Sequence, residues 1–362
     1  MSLNNLPVHA IRRAKSNLSS ATNISTNANQ PMQKWQIITV FSISCIGLLF
    51  FLGAKVPIDT TIKSVELPQE PEELDSFLKE AEQQFDDIIP GTEKIILWAN
   101  PLKKKKAKIA IVYIHGFSST RKDMSPLCEN IARTLKANLF QTRLTGHGRG
   151  SKALAEASVN DWINDTAEAV EIGKRIGEKV VIISSSTGSA LAIWLASQVQ
   201  NMNDDVIALV SISPNFSPKQ PISDVLLWPW GKTIAKVFIG SNRSWEPLNQ
   251  EQGRYWTTSY PVEALLPMMG TAKIAREAKV ENIRQPVLIF FSPLDQVINT
   301  KKIENIFSRL GTTNKQKTYR KEIIYINESQ DPYNHIIVGD IVSPMNNEIV
   351  TQNILNFLEP LL

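Results

Sequence analysis

The sequence predicts an α/β domain with a mostly parallel sheet, helices on both of its faces and an apolar helix ahead of it. Short, continuous segments rich in Val and Ile recur along residues 91–362. Segments whose apolar residues repeat at helical spacing separate them. Strands that are apolar at every position are typical of a parallel sheet buried on both faces, so this alternation predicts the architecture.

The predicted elements follow one another from residue 94 to residue 326. The strands are expected at residues 94–100, 108–116, 138–144, 179–184, 206–214, 286–293 and 321–326. The helices that separate them are expected at residues 127–137, 161–177, 186–199 and 300–311.

Residues 215–283 interrupt this alternation. A structureless loop of that length is uncommon in a compact domain, so we predict a small helical cap inserted before the strand at 286–293. The segment is rich in tryptophan, and Trp228 and Trp230 are candidates for an apolar substrate pocket. Ordinary packing within the cap would explain these aromatic residues equally well.

An uncharged apolar segment near the N-terminus, residues 36–54, is long enough to cross a bilayer as a helix. Basic residues precede it without any acidic residue, which predicts a transmembrane signal anchor with residues 1–35 in the cytoplasm. The catalytic domain would then be translocated to the periplasm or the cell exterior. A cleaved signal peptide and an organelle presequence are the alternatives. The acidic residues 55–90 are expected to form a solvated stalk, so the main domain would span residues 91–362.

A sharp turn between strand and helix is predicted in the segment VVIISSSTGSALA. Such a turn can expose a nucleophile at its apex, provided that the residues two before and two after it are small. Ser186 meets both conditions, with Ser184 before it, where glycine is usual, and Gly188 after it. If Ser184 or Ser185 were the nucleophile, a bulky isoleucine would occupy the earlier position. The alternative is a polar connection in which the serines only cap the helix.

A serine hydroxyl is a weak nucleophile and needs a base within hydrogen-bond reach. The chain has four histidines, of which His9 precedes the apolar helix, while His115 and His147 follow early strands. Only His335 lies after both partners in the order serine, acid, histidine, so it is the predicted base.

The acid that orients the base should follow the strand after the cap. Asp295 lies there, while Asp331 and Asp340 are rivals that are closer to the histidine in sequence. We favour Asp295 because a triad draws its acid and its base from different loops.

Taken together, these segments resemble the α/β-hydrolase superfamily and are similar to the monoglyceride-lipase-like and esterase-like proteins of its serine aminopeptidase branch. The resemblance extends over about residues 91–362. It implies a triad of Ser186, Asp295 and His335, with the backbone N–H groups of Phe117 and Thr187 as oxyanion donors. It rests on the motifs H-G-F, G-H-G, S-x-S-x-G, S-P-L-D and N-H, at residues 115–117, 146–148, 184–188, 292–295 and 334–335.

The composition argues against several classes of partner and cofactor. A net charge of +4 is small for this length and argues against a dedicated nucleic-acid binder. Two distant cysteines, Cys45 and Cys128, indicate neither a disulfide framework nor a metal site. No metal or cofactor is implied, and the sequence gives no prediction of the oligomeric state.

The leading hypothesis is a serine carboxylic-ester hydrolase, either a carboxylesterase or similar to a monoacylglycerol lipase, that acts on a small ester or a lipid. An acyltransferase or an amidase with the same triad is an alternative. A non-catalytic binding module with a hydrolase fold is another, since serine replaces the usual glycine at Ser184. The sequence does not distinguish the acyl chain or the alcohol.

Overall fold

The computed structural model describes residues 33–198, 205–312 and 319–362, and divides into two compact units, Met1–Gly53 and Ala54–Leu362. In the first unit the described element is a helix, α1 (Lys34–Phe51), that is long and apolar enough to cross a membrane. A signal sequence near an N-terminus meets the same criterion. Most of the predicted cytoplasmic segment, residues 1–32, lies outside the described residues.

The second unit is built around a seven-stranded sheet. Its strands are β1 (Ile95–Leu97), β2 (Ala107–Ile114), β3 (Asn138–Gln141), β4 (Gly177–Ser185), β5 (Val206–Ile212), β8 (Val287–Phe291) and β9 (Lys321–Tyr325). They lie in the order β1-β3-β2-β4-β5-β8-β9. All neighbours are parallel except β1, which runs antiparallel to β3, so the predicted mostly parallel sheet is confirmed. A separate antiparallel pair consists of β6 (Asn242–Ser244) and β7 (Ser259–Pro261).

Ten α-helices are described in this second unit. In chain order they are α2 (Leu74–Glu82), α3 (Leu127–Leu135), α4 (Ser151–Glu156), α5 (Val159–Ile176), α6 (Ser186–Gln198), α7 (Gly231–Ile239), α8 (Gln250–Tyr255), α9 (Leu265–Glu277), α10 (Thr300–Arg309) and α11 (Asn347–Leu358).

The central strands are apolar at consecutive positions because alternate side chains enter different cores. Val180 and Ile182 of β4 lie in one hydrophobic cluster with side chains from α5, α6 and α9. Val181 and Ile183 lie in a second cluster with side chains from α3 and α11. Successive side chains of a strand point to opposite faces, so the sheet has a core on each side.

Residues 55–90 do not form the solvated stalk that the sequence predicts. Leu74 and Leu78 of α2 are buried in the cluster that also holds α5, and Leu67 joins them. Glu82, at the end of α2, forms an ion pair with Arg143 inside the domain. The segment is acidic overall, but these three leucines pack on the domain, and the compact unit begins at Ala54 instead of at residue 91.

The segment between β5 and β8 contains more than the helices that were predicted there. It holds α7, α8 and α9, and also the short strands β6 and β7. Its first residues pass directly over the end of β4, where the Asn215 N–H donates to the carbonyl of Ser186 at 3.0 Å. The cap therefore starts at the edge of the sheet where the parallel strands end.

Candidate active site

The turn between β4 and α6 has the geometry that the small-residue pattern anticipates. Ser186 is the first residue of α6 and adopts a left-handed backbone conformation with φ of 45°. A non-glycine residue held there costs about 1–3 kcal/mol, and such strain is often found at functional sites. A β-carbon on Gly188 would lie 2.4 Å from the carbonyl oxygen of Ile114 and 2.5 Å from that of His115. Only glycine allows the helix to start this close to the end of β2.

The three adjacent serines have three different environments. Ser184 is buried, and its hydroxyl donates to the carbonyl of Val210 on β5 at 3.2 Å, so a serine is accommodated where glycine is usual. The Ser185 hydroxyl is also buried and donates to a carboxylate oxygen of Asp123 at 3.1 Å. The Ser186 hydroxyl, in contrast, lies 3.0 Å from Nε2 of His335.

The structure brings Ser186, His335 and Asp295 into one hydrogen-bonded series. Nδ1 of His335 donates to Oδ2 of Asp295 at 2.7 Å, which leaves Nε2 to accept from the serine hydroxyl. Asp295 is 1% exposed, and its Oδ1 accepts the backbone N–H groups of Val297 and Ile298 at 2.7 and 3.0 Å. The carboxylate is thus held in place from both oxygens.

The two rival acids have other partners. Oδ2 of Asp331 accepts the backbone N–H groups of His335 and Ile336 at 2.9 and 2.8 Å, so this carboxylate shapes the loop that carries the histidine. Asp340 is exposed and accepts a hydrogen bond from the side chain of Asn347 at 2.5 Å. Of the three candidates, Asp295 is the one that contacts the imidazole ring.

Opposing effects act on the pKa of His335. Burial lowers it, while the charge of Asp295, its hydrogen bond and the more distant charges of Asp331 and Asp123 raise it. The net result is a pKa above the usual 6.5. An imidazole with this environment accepts a proton readily and is stabilised once it is charged.

The loop after β2 lies against the serine turn. A β-carbon on Gly116 would be 3.2 Å from the Ser186 β-carbon, so the backbone that leads to Phe117 passes close to the serine. Thr187 is the second residue of α6, and the first four N–H groups of a helix have no partner within it. The two predicted oxyanion donors therefore lie on the two segments that flank Ser186.

His115 and His147 brace this loop. Nδ1 of His115 donates to the carbonyl of Gly116 at 2.8 Å, and its Nε2 accepts the N–H of Leu144 at 3.0 Å. The ring of His147 packs on His115, with centroids 4.9 Å apart, and on Phe117 at 6.0 Å. Burial lowers the pKa of both histidines, so both are neutral supports for the loop.

The cap contributes side chains and backbone groups near the same loop. The N–H of Thr257 donates to the carbonyl of Ser118 at 2.7 Å, and Tyr260 packs edge-on against Phe117 at 5.4 Å. Trp228 and Trp230, the predicted pocket residues, are 52% and 44% exposed on the cap. Their role in substrate binding stays a prediction.

Within the described residues, no group of three or more His, Cys, Asp and Glu side chains is arranged to hold a metal ion. The sequence does not predict two structural features near the site, the buried carboxylate of Asp123 beside the serine turn and the ion pair of Glu82 with Arg143. An acidic residue in a polar loop carries no local signal of burial, so only the fold reveals them.

A family model described as serine aminopeptidase, S33, matches residues 105–324. A thermostable monoacylglycerol lipase from Bacillus sp. (strain H-257) is 24% identical over 252 residues, which cover 69% of this chain and 92% of that protein. A metagenome-derived lipolytic enzyme has a similar structure, with a TM-score of 0.60 and 20% identity, over 75% of this chain and 99% of the other. A soluble variant of the Saccharomyces cerevisiae monoglyceride lipase superposes with a TM-score of 0.55 and 13% identity, over 74% of this chain and 91% of the other.

Proposed function

Because the chain belongs to the serine aminopeptidase S33 family of α/β-hydrolases, we propose that it is a serine carboxylic-ester hydrolase with Ser186 as its nucleophile. The observation that carries the proposal is the series from Ser186 through His335 to Asp295, with contacts of 3.0 and 2.7 Å. The left-handed backbone at Ser186 supports it as well, because this geometry exposes the hydroxyl at the start of a helix.

The proposed reaction has two halves. Ser186 attacks the ester carbonyl while Nε2 of His335 takes the hydroxyl proton and then transfers it to the leaving alcohol. The acyl-enzyme is hydrolysed when His335 activates a water molecule in the same way. Asp295 keeps the ring in the required tautomer and stabilises the imidazolium. The N–H groups of Phe117 and Thr187 stabilise the oxyanion, where one donor contributes about 3 kcal/mol.

Similarity to a monoacylglycerol lipase supports an ester of a lipid as the substrate, so a monoacylglycerol or a short carboxylic ester is the first substrate to test. Transfer of the acyl group to an acceptor other than water, and cleavage of an amide, would use the same triad. Competition between water, added alcohols and amide analogues distinguishes these reactions by their products.

The test compares Ser186→Ala with a matched control in the same helix, Ser197→Ala, whose hydroxyl donates to the carbonyl of Trp194 and accepts from the side-chain amide of the exposed Gln198. We expect the first variant to lose turnover of p-nitrophenyl esters by at least about a thousand-fold. It should also lose labelling by a fluorophosphonate probe, while the control keeps both. Equal rates in the two variants would contradict the assignment, and an unlabelled wild-type chain would favour a non-catalytic binding module.

We also propose that α1 anchors the enzyme in a membrane, with the unit Ala54–Leu362 on the far side from the N-terminus. The length and composition of the helix, and the excess of basic residues before it, support this. In sealed vesicles whose cytoplasmic face points outward, added protease should spare this unit until detergent is added. Release of the chain by alkaline carbonate would overturn the anchor, and immediate digestion would overturn the orientation.

A further inference from the structure

A buried carboxylate that the proposed reaction does not use lies directly below the serine turn. Asp123 is 5% exposed and lies in the loop between β2 and α3. Its Oδ2 accepts the hydroxyl of Ser119 at 2.7 Å, the hydroxyl of Ser185 at 3.1 Å and the N–H of Gly116 at 3.3 Å. Its Oδ1 accepts the phenolic hydroxyl of Tyr113. An ionised carboxylate only accepts hydrogen bonds, and all four partners donate.

Three of these donors come from the two segments beside the proposed reaction centre: Gly116 and Ser119 from the loop after β2, and Ser185 from the serine turn. Ser185 immediately precedes the nucleophile Ser186 in the chain, and Gly116 immediately precedes Phe117, the proposed oxyanion donor. One side chain thus holds both segments by groups that are each one residue away from a reacting position. The approach is close, because a β-carbon on Gly116 would lie 3.2 Å from the Ser185 hydroxyl oxygen.

We propose that Asp123 is a positioning residue, which fixes the oxyanion loop against the serine turn and so sets the distance between the Phe117 N–H and the Ser186 hydroxyl. This rests on the proposed function, since it assigns Asp123 a part in the same reaction. Catalysis depends on donors that are already placed where negative charge develops, and a small displacement of such a donor reduces the rate strongly.

Charge adds a second effect. The negative charge of Asp123 is one of the charges that raise the pKa of His335, although it contributes less than Asp295. An uncharged replacement of Asp123 should therefore lower the pKa of His335. A side chain that served only to stabilise the fold away from the reaction centre would not have this effect.

The experiment uses the full-length chain and compares Asp123→Asn with Asn138→Ala. Asn138 is a matched control because it is also buried and bonds to three backbone groups, but at the opposite end of the parallel strands. We expect Asp123→Asn to lower kcat for a p-nitrophenyl ester about 10- to 100-fold, with KM changed by less than about two-fold. Asn138→Ala should lower the thermal midpoint while kcat per active site, counted with a fluorophosphonate probe, stays within about two-fold of wild type.

The pH profile provides the second readout. In Asp123→Asn the acidic limb of kcat/KM should move to lower pH, because a charge that favours protonated His335 has been removed. If this variant fails to fold, Ser119→Ala removes one donor and keeps the carboxylate. It should lower kcat several-fold, again with little change in KM.

The outcomes separate the two proposals. A wild-type chain that hydrolyses esters, together with a folded Asp123→Asn variant of unchanged kcat and pH profile, would overturn the inference alone. A kcat loss no larger than that of Asn138→Ala would reduce Asp123 to a structural residue and would also overturn it. A wild-type chain that neither reacts with the probe nor hydrolyses esters would overturn the proposed function, and with it the role of Asp123.

Discussion

The ion pair between Glu82 and Arg143 joins residues 54–90 to the loop that carries His147. Nε and one terminal nitrogen of Arg143 donate to the two carboxylate oxygens of Glu82 at 2.7 and 2.8 Å. The side chain of Arg143 is 5% exposed and that of Glu82 is 8% exposed. The remaining terminal nitrogen donates to the carbonyl of His147 at 3.1 Å. Because the pair is buried, the loss of either partner should lower the stability of the domain.

We predict that Glu82→Gln destabilises the domain by about 3 kcal/mol, because it leaves the guanidinium buried without a counter-charge. Loss of one partner of a buried ion pair costs about 3–5 kcal/mol, and we use the lower value because glutamine still accepts one hydrogen bond. For a domain of this size, 1 kcal/mol corresponds to about 2 °C in the unfolding midpoint, so the midpoint should fall by about 6 °C.

The assay is thermal unfolding of the full-length chain in a mild detergent, followed by near-ultraviolet circular dichroism. Asp87→Asn is the matched control, because Asp87 belongs to the same N-terminal segment and pairs with Arg149 at 2.5 Å. Its side chain is 43% exposed, so the loss of this pair should cost less than about 1 kcal/mol. Equal shifts in the two variants, or a shift below about 2 °C for Glu82→Gln, would refute the reasoning that burial makes this pair important.

Three further predictions concern the site and its support. The ester kcat/KM should fall as the pH drops through a His335 pKa above 6.5, because only the neutral ring accepts a proton, and Asp295→Asn should move this limb to lower pH in a pH–rate profile. Gly188→Ala should abolish activity or folding, because its β-carbon would meet backbone oxygens at 2.4 and 2.5 Å, whereas Gly150→Ala, with no atom within 4 Å, should behave like wild type in turnover and unfolding assays. Burial raises the pKa of Asp165 to about 6 against the opposing charge of Lys94. The unfolded chain loses this proton at lower pH than the folded chain, so the free energy of unfolding should fall as the pH rises from about 4 to 6. In Asp165→Asn the unfolding midpoint should therefore depend less on pH over that range.

The arrangement of the sheet follows from local sequence, and so does the proximity of the three proposed triad residues. Continuous apolar strands identify a parallel sheet, and the carboxyl ends of parallel strands lie at one edge, where ligands bind in open α/β sheets. Ser186 follows β4, while Asp295 and His335 follow β8 and β9, so their meeting at 3.0 and 2.7 Å is the geometry that this order anticipates. The small residues around the turn identify Ser186 among the three adjacent serines. Gly188 lies so close to the backbone at the end of β2 that there is no room for a β-carbon at this position.

Contacts between segments that are distant in the chain could not be predicted in this way. Glu82 and Arg143 are 61 positions apart, and Asp123 and Ser185 are 62 apart. Each acidic residue lies in a polar stretch that is typical of a solvated surface, and its burial depends on which other segment covers it. The spacing of Leu74 and Leu78 indicates one apolar face on a helix but does not identify the surface that this face covers.

A continuous set of contacts connects the N-terminal segment of the domain to the proposed oxyanion loop. Glu82 binds Arg143, and Arg143 holds the carbonyl of His147. The ring of His147 packs on His115, which in turn donates to the carbonyl of Gly116 beside Phe117. Because each step is a buried contact, residues 54–90 support the loop on which the proposed reaction depends. The segment that follows the proposed anchor is therefore part of the catalytic unit. We expect that a spacer of unrelated sequence in its place would not support this loop.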